Sequence, residues 1–195
     1  MEQENVGLYL GMDISEKYTM ISIYQQHMKE PQTISTIMGS ESYQIPTALA
    51  KKKGVGQWFF GREAKVRVKS GEALGVEDLL DKARTGEEVF LEHEKYAASD
   101  LLAIFLKRVL SLAGSAQAMM PLTKLVICLD KVSVEYMELF SAIMVKLGIE
   151  TDKLLLIDRR ESFYYYALSQ GPETFLHDVV MFDYTESDMV SCRLR

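Results

Sequence analysis

An apolar run, an Asp, a short polar turn and a second apolar run span residues 8–24, and the same layout recurs over residues 178–194. Each predicts a β-hairpin, the first turning at Asp13-Ile-Ser-Glu-Lys17 and the second at Asp183-Tyr-Thr-Glu-Ser-Asp188. Residues 32–37 alternate as a half-buried third strand does. Residues 43–64 read as a second hairpin, with a Lys-rich turn at 51–54, running into a helix. Over residues 98–118, Leu101, Leu102, Phe105, Leu106, Val109, Leu110 and Ala113 recur at helical spacing, with Ser99 or Asp100 placed to cap the start.

The run from Thr123 to Asp130 is nearly continuously apolar, which predicts a strand covered on both faces. Ser133 opens a helix carrying Val134, Met137, Phe140, Ile143, Met144 and Leu147, and Gly148 stops it. Residues 153–158 predict a second buried strand and residues 161–169 a last helix. The expected assembly is a mixed sheet of about five strands, a usual sheet size. Its first three strands are antiparallel neighbours, with Val126 and Leu155 on parallel central strands.

A chain of 195 residues, 48% hydrophobic, can bury the core of one domain or of a domain with a small appendage. The formal charge of -6 argues against a nucleic-acid face or an anionic membrane surface, since both rely on a Lys/Arg excess. Cys128 and Cys192 each lie in a strand-like apolar run, so a reducing compartment is expected and no disulfide framework. The acidic start Met-Glu-Gln-Glu-Asn has neither a basic leader nor a long apolar stretch behind it, so a cytoplasmic protein is expected. His27, His93 and His177 have no ligand spacing with one another or with the cysteines. No P-loop or G-x-S-x-G motif occurs. Lys51-Lys-Lys53 reads as a solvated hairpin tip and Trp58-Phe-Phe60 as core.

The two hairpins, each turning at an Asp, resemble the phosphate-binding hairpins of the actin, sugar-kinase and DnaK-type heat-shock chaperone superfamily. The block from Tyr43 to Ala64 is similar to the DnaK-type stretch after the third strand. The order of elements is similar to that of one lobe of the superfamily, an α/β, ribonuclease H-like fold with an inserted small α+β subdomain. On that resemblance, residues 1–177 form the first lobe, with the subdomain at about 38–120, and 178–195 the opening hairpin of a second lobe.

The family's hairpins read roughly D-x-G-T-T and D-x-G-G-G-T, because glycine lets backbone N–H groups close on phosphate oxygens. The resemblance places Asp13, Ser15, Glu16 and Lys17, with Asp183, Thr185 and Ser187, where nucleotide or Mg²⁺ is held, if either is bound. Glycines are missing from both turns, and Glu16, Glu186 and Asp188 bring acids to them. A carboxylate about 4 Å from a phosphate charge, at an effective dielectric of roughly 20, is disfavoured by about 4 kcal/mol. Lys17 offsets one such group. Read as residues alone, Asp13 and Asp183 are polar turn residues that end buried strands. The opposite reading gathers Asp13, Glu16, Asp183, Glu186 and Asp188 into an oxygen-rich cation site, provided the hairpins meet.

Before the family's interlobe helix the expected motif is Asn-Glu-Pro-Thr-Ala-Ala-Ala, and the matching stretch here is Asp158-Arg-Arg-Glu-Ser-Phe-Tyr-Tyr-Tyr-Ala167. Arg159 falls where the acid is expected, with Asp158 and Glu161 a small shift of register away. Phe163 and Tyr164 to Tyr166 add bulk, expected mostly as an aromatic core face and otherwise as a wedge in the cleft.

The expectation is a non-catalytic interaction or scaffold protein on a degenerate actin/DnaK-like domain, bacterial and cytoplasmic. No cofactor and no catalytic or metal residue is expected, the protein partner is unspecified, and a homodimer through 178–195 is open. The alternative is a divergent ATP-binding protein or ATPase of the same superfamily, using ATP and Mg²⁺. A nuclease using Asp13, Asp158 and Asp183 around two metals is disfavoured by the acidic charge.

Overall fold

The computed structural model describes residues 7–37, 39–114, 121–175, 178–184 and 189–194. In chain order, β1 (Leu8–Ile14) and β2 (Tyr18–Gln25) form the first hairpin, followed by the two-residue strands β3 (Gln32–Thr33) and β4 (Ile45–Pro46). Next come β5 (Leu49–Lys52), β6 (Trp58–Phe60), α1 (Gly61–Lys69), β7 (Ala73–Val76) and α2 (Leu79–Thr85). The hairpin of β8 (Glu88–Leu91) and β9 (Glu94–Ala97) leads into the long α3 (Ala98–Gly114). Then β10 (Leu122–Leu129), α4 (Val134–Leu147), β11 (Leu154–Asp158) and α5 (Arg159–Leu168) alternate, and β12 (Val179–Tyr184) pairs with β13 (Met189–Leu194).

The protein is a mixed α/β structure. Its main sheet has the order β11-β10-β1-β2-β3, with β4 also on β2; β1, β10 and β11 are parallel and β2 is antiparallel to β1. Alternation sorts the side chains onto two faces. Leu8, Leu10, Met12, Ile14, Ile21, Ile23, Leu125, Ile127 and Leu129 are buried in one core with the inner sides of α2, α3 and α4. Parallel strands need long crossovers, and α4 supplies the one between β10 and β11.

On the opposite face stand Tyr9, Gly11, Asp13, Ser22, Tyr24, Val126, Cys128, Leu155 and Ile157. Leu155 is 48% exposed, so β11 is the sheet's outer strand and not a central strand buried on both faces, as its apolar run predicts. An unbroken apolar run does not distinguish an edge from a centre, because the pattern does not say whether a neighbour covers each face.

Three further expectations change. The third strand is confined to Gln32–Thr33; beyond it the Ser35 and Thr36 hydroxyls bond the carbonyls of Ile37 (2.8 Å) and Ser42 (3.0 Å), a local alternative to a ladder. Ser99 and Asp100 lie inside the first turn of α3 rather than at its cap, and Asp100 accepts from Lys146 of α4. Lys51 is a strand residue, 5% exposed, and is no solvated tip: its ammonium reaches Glu94 and, at 3.6 Å, Glu92 of the β8–β9 hairpin. Elsewhere the pattern is met. Ser133 caps α4, accepting from the Tyr136 N–H at 3.5 Å, and Gly148 ends it at φ 72°, a left-handed turn that suits glycine. Phe59 is buried with Ala50, Ala64 and Ala73 in a small second core.

Candidate functional site at the strand ends

The carboxyl-terminal ends of β1, β10 and β11 lie side by side, with Asp13 in register with Cys128 and Leu129 with Asp158. In a parallel sheet these ends bring the residues that follow the strands into one region. Asp13 stands one residue before the end of β1, Asp130 follows β10, and Asp158 passes directly into α5.

Asp158 is the N-cap of α5: its Oδ1 accepts from the Glu161 N–H at 2.8 Å, serving one of the helix's free amides. That cap starts the helix at Arg159 and projects the next side chain back across the strand ends. The Arg159 guanidinium, whose side chain is 12% exposed, donates from its two terminal nitrogens to the two Asp13 carboxylate oxygens, at 3.3 and 3.2 Å. Its Nε donates at 2.9 Å to Oδ1 of Asp130, a side chain that is 74% exposed. One planar cation therefore spans two strand ends. The fork geometry of guanidinium suits this and a lysine ammonium does not.

Cys128 lies behind this bridge with its thiol against Ser162. Burial, then the negative charge of Asp13, pushes the thiol up to about 12, while Arg159 and Ser162 act in the opposite direction. It is therefore protonated and a poor nucleophile.

The β1–β2 turn points elsewhere. Ser15 Oγ donates to the Tyr18 carbonyl at 3.0 Å and accepts from the Tyr18 N–H at 3.2 Å, closing the turn on itself. Glu16 reaches the start of α2, where Oε2 accepts from the Leu80 N–H at 3.3 Å. Asp78, at the entry of that helix, has φ 50° and makes no side-chain cap, so the amide is served from 64 residues away. Burial raises the Glu16 carboxyl above its ordinary range, against the pull of the Asp81 and Leu80 backbone hydrogen bonds; neighbouring Asp78 and Asp81 raise it further. The Lys17 carbonyl accepts from the Thr47 N–H at 3.0 Å, tying the turn to the residue that follows β4.

Of the second hairpin, Asp183 lies on β12 in register with Val190, while Thr185, Glu186, Ser187 and Asp188 fall outside the described residues. The structure thus gathers Asp13 with Asp130 and Arg159, and sends Ser15 and Glu16 to structural duties. Sequence reasoning missed Asp130 as a partner, although its position directly after the β10 run marks it as a strand-end residue. Tyr164, Tyr165 and Tyr166 are all exposed, and Ala167 is the buried residue of α5, so the expected aromatic core face does not form. The ten-residue α5 buries Ala167 and leaves the three rings on its solvent side.

No group of three or more His, Cys, Asp or Glu side chains is placed to hold a metal ion among the described residues. Nor is any helix among them long and apolar enough to cross a membrane. No curated protein matches the chain. Residues 30–195 match the model described as the C-terminal part of a family of unknown function, DUF5716, and the chain belongs to that family.

Proposed function

We propose that this chain is a non-catalytic interaction or scaffold protein, built on an actin/DnaK-like first lobe of ribonuclease H-like fold. The sheet order, with an antiparallel hairpin at β1–β2 and parallel β10 and β11 joined through α4, supports that lobe. One observation carries the functional reading: Asp13, matched by resemblance to the acid that organises hydrated Mg²⁺, is hydrogen-bonded by the Arg159 fork. A fixed positive charge there competes with any divalent cation, and Glu16 is occupied with α2 where the family pattern has a hydroxyl for phosphate.

Interaction in place of catalysis also fits the surface. Tyr164, Tyr165, Tyr166 and Leu168 of α5 and Val180, Phe182, Tyr184 and Met189 of the last hairpin are exposed. Exposed apolar groups of this kind mark protein-binding surfaces. Calorimetric titration with ATP·Mg²⁺ tests the reading. Binding weaker than about millimolar is expected, and a dissociation constant near a micromolar would overturn it.

A further inference from the structure

We infer that the outer face of α1 is a docking site for a short acidic protein segment, on an element other than α5 and the last hairpin. Residues 51–72 hold seven Lys/Arg against two Asp/Glu, inside a chain of 22 against 28. Positive charge is therefore gathered in one stretch of an acidic protein. α1 packs on the small sheet β6-β5-β7 and buries Gly61 and Ala64. Arg62, Lys65, Val66 and Lys69, at i, i+3, i+4 and i+7, share the opposite face and are all exposed.

Helix stability does not account for this stripe. Like charges three and four residues apart repel, as Arg62 does Lys65 and Lys65 does Lys69. Arg62 stands in the first turn, where a cation opposes the helix dipole. Among the described residues, carboxylates pair with Lys51 and Arg67 and not with Arg62, Lys65 or Lys69. Two of the three are nevertheless held in place. The Arg62 guanidinium donates to Ser42 Oγ at 2.7 Å, and the Lys65 Nζ lies 5.5 Å from the centroid of the Tyr18 ring. Neither partner is a carboxylate, so the side chains are preorganised while their charge stays available. Val66, 63% exposed, sets an apolar contact at the centre of the stripe.

At 1.5 Å per residue the stripe is about 10 Å long, which fits a segment with acids one helical turn apart around a single apolar side chain. Nucleic acid or an anionic bilayer would also meet the acidic remainder of the surface. A short segment feels chiefly the charges within a Debye length, about 8 Å at physiological ionic strength.

Fluorescence anisotropy tests this with the intact chain and a labelled peptide that carries Glu at every third or fourth position and a central Leu. The peptide should bind at least about tenfold tighter than its Glu-to-Gln counterpart, and added salt should shrink the difference. Lys65→Glu and, separately, Arg62→Glu should each weaken binding about tenfold. Lys131→Glu, at an exposed position in the loop after β10, should leave it unchanged. Because Lys65→Glu turns two repulsions within α1 into attractions, its melting temperature should hold while its binding falls. Equal binding of the two peptides, an equal loss in Lys131→Glu, tighter binding of single-stranded RNA or phosphatidylserine vesicles than of the peptide, or unfolding of both α1 variants would each overturn the assignment. Tight ATP·Mg²⁺ binding would instead sink the scaffold reading and leave the peptide result to stand on its own.

Discussion

Arg159 and Asp13 meet through two parallel N–H···O contacts, although 146 residues separate them in the chain. With the Arg159 side chain 12% and that of Asp13 28% exposed, the pair is shielded from water enough to matter, while Asp130 is 74% exposed and its contact is weak. A double-mutant cycle on Asp13→Asn and Arg159→Gln in urea should give a coupling of about 1–2 kcal/mol. The same cycle with Asp130→Asn should give under about 0.5 kcal/mol. Arg159→Lys should behave as a loss, since one ammonium cannot reproduce the fork.

Glu16 sets a pH dependence. Its carboxyl is raised in the folded chain, so the folded state holds the proton more tightly than the unfolded state. Stability therefore falls as pH rises from the ordinary value of 4.5 through the raised one. Glu16→Gln keeps an oxygen to accept from Leu80 and removes the charge held near Asp78 and Asp81. Its melting temperature should exceed the parent's at pH 7 and converge on it below pH 4. The gain should be about 0.5 kcal/mol or less, because the side chain is partly open to solvent. A variant less stable than the parent at pH 7 would show that the charge-assisted bond to α2 outweighs desolvation.

Cys128 predicts the alkaline limb. Its thiol stays protonated to about 12 when folded and ionises near its ordinary 9.0 when unfolded. Between those values the parent should lose up to about 1.4 kcal/mol per pH unit relative to Cys128→Ala. Denaturant titrations at pH 9, 10 and 11 measure that slope. In a Cys192→Ser background, native-state labelling by a thiol reagent at pH 8 should be far slower than in denaturant, because the thiol is both covered and neutral.

Among the three consecutive lysines, the effects should be unequal. Lys51 is held by Glu92 and Glu94, and its ammonium is raised above the ordinary range by the hydrogen bonds to Glu94 and Tyr96. Its Nζ also lies 5.5 Å from the centroid of the Tyr96 ring, which packs edge-on against Trp58. Lys51→Ala should lower the melting temperature measurably more than Lys52→Ala or Lys53→Ala. Comparable melting curves for all three would refute the role assigned to Lys51.

Local chemistry made much of this fold legible: the Asp13 turn, the Ser133 cap, the Gly148 stop and the apolar run of β10 all follow from residues a few positions apart. What escaped depends on who sits opposite. Leu155 reads as buried, but β11 has a neighbour on one side only, and Lys51 reads as solvated, although Glu92 and Glu94 come to it from 41 and 43 residues further on. β7, α2, β8 and β9 are short and weakly periodic, so their pattern is lost among turns. At the site, Asp13 and Arg159 could each be singled out in the sequence. Their union depends on the parallel register of β1, β10 and β11, and pattern alone does not fix that register.

The remote cap on α2 bears on the order in which the chain assembles. Seven residues are too few to hold a helix in water, and nothing at Asp78 offers a local start signal. The amide of Leu80 is satisfied only after the Asp13–Lys17 turn has been brought across a long loop, an entropic expense met late in folding. Substitutions within α2 should accordingly accelerate unfolding while leaving the refolding rate nearly constant, the kinetic signature of a segment that consolidates after the rate-limiting barrier.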